Sequence, residues 1–170
     1  MEQARHFHNV VGTLEAGNLI PWLDVEDEHS SIGGPAVAWP VISAQLAVCV
    51  DECERLFGVK PGIYTGRWFW DRLPSAGRFA DCRLWIAHWF KDQQPGGKFA
   101  LPAGWSDYAI HQYTSAGRVA GITGNVDLDW TPDIARVTVL EAGNRTDRIV
   151  AALNTARAGI DQAQRLLNEV

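Results

Sequence analysis

A chain of 170 residues is long enough for one domain with a sizeable core and short for two. A net charge of −5 and the lack of any basic run argue against a nucleic-acid partner. No apolar run reaches membrane-spanning length, so membrane insertion is not expected. Eight tryptophans, far above average use, point toward carbohydrate, because an indole offers a flat apolar face to a sugar ring.

The opening Met1-Glu2-Gln3-Ala4-Arg5-His6 is polar and lacks the apolar core of a signal peptide, which predicts synthesis in the cytoplasm. Residues 2–16 place Phe7, Val10, Val11 and Leu14 at helical spacing, with Gly17-Asn18 as a stop. Residues 20–26 then read as a short buried strand that ends in a burst of acid. Asp24 and Glu26 are two apart, so in a strand both carboxylates share one face. Like charges that close raise one pKa while the other group stays ionised, and a carboxyl held protonated is what general acid catalysis requires. The plainer alternative is that the two acids merely end a strand beside Asp27-Glu28.

After a loop over 29–34, Pro35 is placed for a first helical turn, and a long helix runs to Phe57. Pro40 predicts that this helix begins or kinks there, and Gly58 ends it. Cys49, Cys53 and Cys82 have no framework spacing, so buried thiols in a reducing compartment are expected rather than disulfides or metal ligands. His6, His8 and His29 lack metal-ligand spacing, so no metal and no cofactor are expected. Further strands are predicted over 61–66, 83–89, 109–114 and 125–130, with a short helix over 67–73 and a polar loop over 91–97.

Strands separated by helices or long loops fit an α/β barrel, in which reacting groups lie at the C-terminal strand ends. Those ends carry Glu26, Tyr64, His88 with Trp89, Gln112 with Tyr113, and Asp127 with Asp129. Trp22, Trp39, Trp68, Trp70, Trp105 and Trp130 read as packing residues before sugar platforms.

Five motifs occur in order: Leu23-Asp24-Val25-Glu26, Gly62-Ile63-Tyr64-Thr65, Leu84-Trp85-Ile86-Ala87-His88-Trp89, Gln112-Tyr113-Thr114, and residues 121–129 ending Val126-Asp127-Leu128-Asp129. Together they resemble glycoside hydrolase family 25, the muramidases that act on bacterial peptidoglycan, over roughly residues 2–131. The resemblance implies an enzyme that cuts the β-1,4 bond between N-acetylmuramic acid and N-acetylglucosamine. It implies Glu26 as the general acid, Asp24 as the group tuning Glu26 or steadying positive charge, and Asp127 as the acid that orients the substrate's acetamido group. Tyr64, Trp85 and Gln112 match groove-lining positions, and His88 and Tyr113 are expected beside them.

The chain departs from that family at its start. The family's first three strands, with the aspartate the first one carries, have no counterpart before the helix at 2–16. The expected fold is therefore α/β, a partial TIM-like β/α barrel plus a C-terminal helix. Its domain would span 1–135, its linker 136–145 and its amphipathic helix 146–170. A start upstream of Met1, a complementing chain or homo-oligomer, and a degenerate open sheet all remain open. In the tail Ile149, Leu153, Ala156, Ile160, Ala163 and Leu167 step by four and three, a seam suited to docking or self-association. A phage or prophage lysin fits the reading, with a non-catalytic wall-binding remnant as the alternative.

Overall fold

The computed structural model describes residues 2–29, 34–92 and 94–139. The helix expected over 146–170, its linker beyond residue 139 and part of the loop at 29–34 lie outside the described residues. Five strands form one curled, half-barrel sheet in sequence order: β1 (Trp22–Asp24), β2 (Gly62–Gly66), β3 (Leu84–Ala87), β4 (Ile110–Gly117) and β5 (Val126–Trp130). The first four run parallel, and β5 pairs antiparallel with β4. That last strand is the main departure from an all-parallel barrel. The link from Gly117 to Val126 holds no crossover helix, so β5 returns alongside β4 as a hairpin does.

Helix α1 (Glu2–Val11) is shorter than the expected 2–16. It stops where Gly12 takes a left-handed φ of 77°, a conformation that glycine adopts without a Cβ penalty. Val10 and Val11, read as core positions, are exposed, whereas Ala4 is buried and Phe7 meets Phe57 edge-on at 5.2 Å. Helix α2 (Trp39–Phe57) begins at Trp39 rather than at Pro35, which precedes the Ala36 bridge to His29; Pro40 lies in its first turn, where a missing N–H costs nothing, and the helix ends at the left-handed Gly58 as expected. A one-turn helix, α3 (Arg67–Trp70), follows β2 directly.

Alternation along the strands sorts side chains onto two faces. The outer face, against α2 and α3, carries Ile63, Thr65, Leu84 and Ile86, all buried. The core gathers there around Trp70, with Val50, Phe69 and Phe79 among its members. The inner face carries Trp22, Asp24, Tyr64, Trp85 and Gln112 in register across four strands. Trp22 crosses Gly62 so closely that a Cβ there would lie 2.3 Å from the indole.

The two ends of the sheet are tied together at the N-terminal side. Leu19 bridges Thr138 in antiparallel fashion, and Ile20 N–H donates to the Val137 carbonyl at 2.9 Å. Residues 137–139, within the expected linker, thus join the sheet's lower rim. Above Ile20, no strand among the described residues pairs with the outer edge of β1. A cavity of about 480 Å³ opens beside that edge, between α1, β1 and α2.

Candidate active site

The site is built on the segment that leaves β1. Val25 N–H donates to the Tyr64 carbonyl at 3.0 Å, and the Thr65 hydroxyl donates to the Val25 carbonyl at 2.7 Å. Val25 is buried in the core, so Asp24 and Glu26 flank it on the groove side. Because Thr65 is fully buried, Thr65→Val would strand the Val25 carbonyl without its donor. That change is expected to cost about 1–3 kcal/mol in a urea unfolding experiment, despite being nearly isosteric.

Antiparallel β5 brings its first residues, not its last, to the rim where Glu26 lies. Val126 stands opposite Gly117 at the end of β4, and Asp129 stands opposite Gln112 further down. Asp127 therefore arrives close enough for its charge to act on Glu26. Burial is the largest influence raising the Glu26 carboxyl above its ordinary value, and the negative charges of Asp24, Asp127 and Asp27 add to it. A hydrogen bond with Tyr64 pulls the other way. Burial likewise raises Asp24. It raises Asp129 as well, where the Trp85 indole N–H, donating at 2.7 Å, opposes it.

Tyr64 connects the acid to the far wall. Its phenol is pushed up to about 12, by burial first and the Glu26 charge second, so it keeps its single proton. That proton goes to Gln112 Oε1 at 3.1 Å, and the Trp89 indole N–H donates to the same oxygen at 3.2 Å. An indole N–H can only donate, which fixes the amide with its oxygen toward both partners. Below them Trp85 packs edge-on between Tyr64 at 5.2 Å and Trp22 at 5.6 Å.

Asp24, Glu26, Tyr64, Trp85, Gln112 and Asp127 thus come together, while His88 and Tyr113 do not join them. The His88 ring stacks on Phe99 at 4.2 Å and meets Phe90 edge-on, in an aromatic cluster on the outer face. At the centre of that cluster lies buried His111. Its Nδ1 accepts from Gly96 N–H, so Nε2 carries the proton to the His88 carbonyl. Tyr113 occupies a bulge, since Gln112 faces Asp129 and Thr114 faces Leu128, and its ring contact is with His111 at 6.2 Å. One residue's difference in alternation put Trp89, not His88, on the groove side. Asp129 and Trp22 also line the inner face. The sign of the latter in the sequence is Gly62, the small residue that a ring crossing the strand needs. Among the described residues no group of three or more His, Cys, Asp or Glu side chains is arranged to hold a metal ion.

The chain is 25% identical over 111 residues to lysozyme M1 of Streptomyces globisporus, across 62% of this chain and 35% of that protein. The bacterial lysozyme from Streptomyces coelicolor superposes with a TM-score of 0.65 at 23% identity, over 79% of this chain and 62% of that one. The Clostridium perfringens spore cortex lytic enzyme SleM gives 0.63 at 25% identity, over 80% and 46%. The chain therefore spans about a third of the curated relative it matches and less than two thirds of these two solved chains. The family model for glycosyl hydrolases family 25 matches residues 1–122, well over half of the sequence, and the chain belongs to that family.

Proposed function

We propose that this chain is a peptidoglycan hydrolase, an N-acetylmuramidase that cleaves the β-1,4 bond between N-acetylmuramic acid and N-acetylglucosamine. The observation that carries the proposal is Glu26, held by Tyr64 and set between the negative charges of Asp24 and Asp127 on a family 25 sheet. In this reading Glu26 gives its proton to the glycosidic oxygen as the C1–O bond breaks. The oxocarbenium-like charge left on the sugar is stabilised by Asp24 and Asp127, and water completes the hydrolysis at C1. Asp127, on the opposite wall, orients the acetamido group in this reading. Tyr64, Trp85 and Gln112 form the wall against which the sugar rings lie. The edge of β1 that no strand among the described residues pairs with is where a second copy or another segment would complete the groove. Action on the cell wall after cytoplasmic synthesis, as in a phage or prophage lysin, fits this chemistry.

The direct test is release of reducing ends from purified peptidoglycan by the full chain. Wall binding without any release would favour a non-catalytic wall-binding remnant. The pH profile tests the acid itself. Turnover is expected to fall as pH rises through the raised Glu26 pKa, because the ionised carboxylate has no proton to give. Asp24→Asn removes one of the charges that hold this pKa up. The alkaline limb of the profile is then expected to move to lower pH while maximal turnover also drops. A limb that stays in place would separate Asp24 from the protonation of Glu26.

A further inference from the structure

The inner face carries a second aromatic feature, above the acids, that the proposed chemistry does not use. Trp68, just past β2, folds back over Gly66 so closely that a Cβ there would sit 2.1 Å from the indole. Gly66 pairs in register with Ala87, so two small residues side by side form a floor at the C-terminal rim. Trp89 is the next residue on the inner face after Ala87. The two rings are 6.0 Å apart and inclined at 45°. They are 52% and 51% exposed, whereas Trp70, two residues from Trp68, is completely buried. Trp89 is not loose, because its N–H is anchored on the Gln112 oxygen that also takes the Tyr64 proton.

We propose that Trp68 and Trp89 form a sugar-binding platform, one that seats a pyranose ring of the glycan strand beyond the residues flanking the cleaved bond. The inference rests on the glycan-cleaving reading and extends it by one subsite. Two exposed indoles set side by side offer apolar faces to the axial C–H groups of a sugar, while the ring hydroxyls stay in water. Their position at the rim, with Trp89 joined through Gln112 to Tyr64 and Trp68 beside Trp89, puts the platform on the path of a strand already threaded through the groove. Length dependence follows. Trp89 stands next to the Gln112–Tyr64 pair and Trp68 is the outer ring of the two, so a sugar seated on Trp68 calls for a longer strand than one that only spans the acids.

The test uses the full chain carrying Glu26→Gln, so that ligand is not consumed, with peptide-free glycan strands of two and of eight sugars titrated calorimetrically. Adding Trp68→Ala is expected to weaken binding of the eight-sugar strand roughly 3- to 10-fold and to leave the disaccharide unaffected. Trp68→Phe, which keeps an aromatic face, is expected to restore most of the loss. Circular dichroism of each variant confirms that the exposed side chain has been removed without loss of fold. If Trp68→Ala binds both lengths as its parent does while the unmodified chain cleaves peptidoglycan, the platform is overturned and the hydrolase reading stands. If the length-dependent loss appears but the unmodified chain releases no reducing ends, the platform stands and the catalytic reading falls.

Discussion

Glu26→Gln is expected to lower peptidoglycan turnover by about 10²- to 10⁴-fold, the usual worth of a positioned general acid. The amide keeps the shape and the hydrogen bond to Tyr64 but has no proton to deliver to the leaving oxygen. Binding of wall fragments should persist, so the loss falls on kcat rather than KM. The same variant should gain stability at neutral pH, and the sign follows from linkage. The folded-state pKa of Glu26 is raised above its ordinary 4.5, so between that value and the raised one the folded chain holds a proton that the unfolded chain has released. Stability therefore falls as pH rises through this window, and above it the ionised carboxylate burdens the fold. Glutamine removes the burden. Its Tm should exceed that of the parent at pH 7, with the gap closing toward pH 4 and below. A variant that loses turnover and shows no such pH-dependent gain would place the inactivation elsewhere than in the protonation of this carboxyl.

The largest stability effect is expected at Trp70. It is wholly buried, packs on Trp105 at 4.6 Å and Phe79 at 5.6 Å, and donates its indole N–H to the Ala103 carbonyl at 3.0 Å. Trp70→Ala opens a large cavity and leaves that carbonyl unpaired. Together these should cost about 3–5 kcal/mol, a substantial part of the roughly 5–15 kcal/mol that holds a domain folded. With a urea dependence of about 1–3 kcal/mol per molar, the midpoint should fall by about 2 M. Trp70 also holds α3 against the core, and Trp68 sits on that same turn of helix. The loss should therefore reach glycan binding at the rim as well as global stability.

The four parallel strands were legible from their apolar, β-branched runs and the breakers between them. The end of α2 at Gly58 was legible too, because it rests on a rule about one residue's backbone, whereas its start was read at Pro35 with Pro40 as a start or kink, and the helix begins at Trp39. The end of α1 was not: Leu14 continues the apolar spacing, and only the left-handed turn at Gly12 overrides it. The direction of β5 was hidden for a different reason. Alternation over Val126–Trp130 looks the same whichever way the strand runs, and pairing with β4 decides it. That direction matters to the site, since it sends Asp127 to the rim and Asp129 down to Trp85. His88 and Tyr113 show the limit of reading polar residues at strand ends as site residues. A shift of one position, or one bulge, carries a side chain through the sheet to its other face. The tryptophans divide in the same way. Trp70 and Trp105 pack, and Trp68 does not, although nothing in the local sequence separates Trp68 from Trp70 except which side of a single helical turn each occupies.

The most direct test of the central claim is the identity of the new chain end. Purified peptidoglycan treated with the full chain, reduced with borohydride and digested to small fragments, can be read by mass spectrometry for the sugar alcohol at the cut. The account predicts N-acetylmuramitol, absent when Glu26→Gln is used instead. Fragments ending in N-acetylglucosaminitol would mean that the other glycosidic bond is cut, and would contradict it.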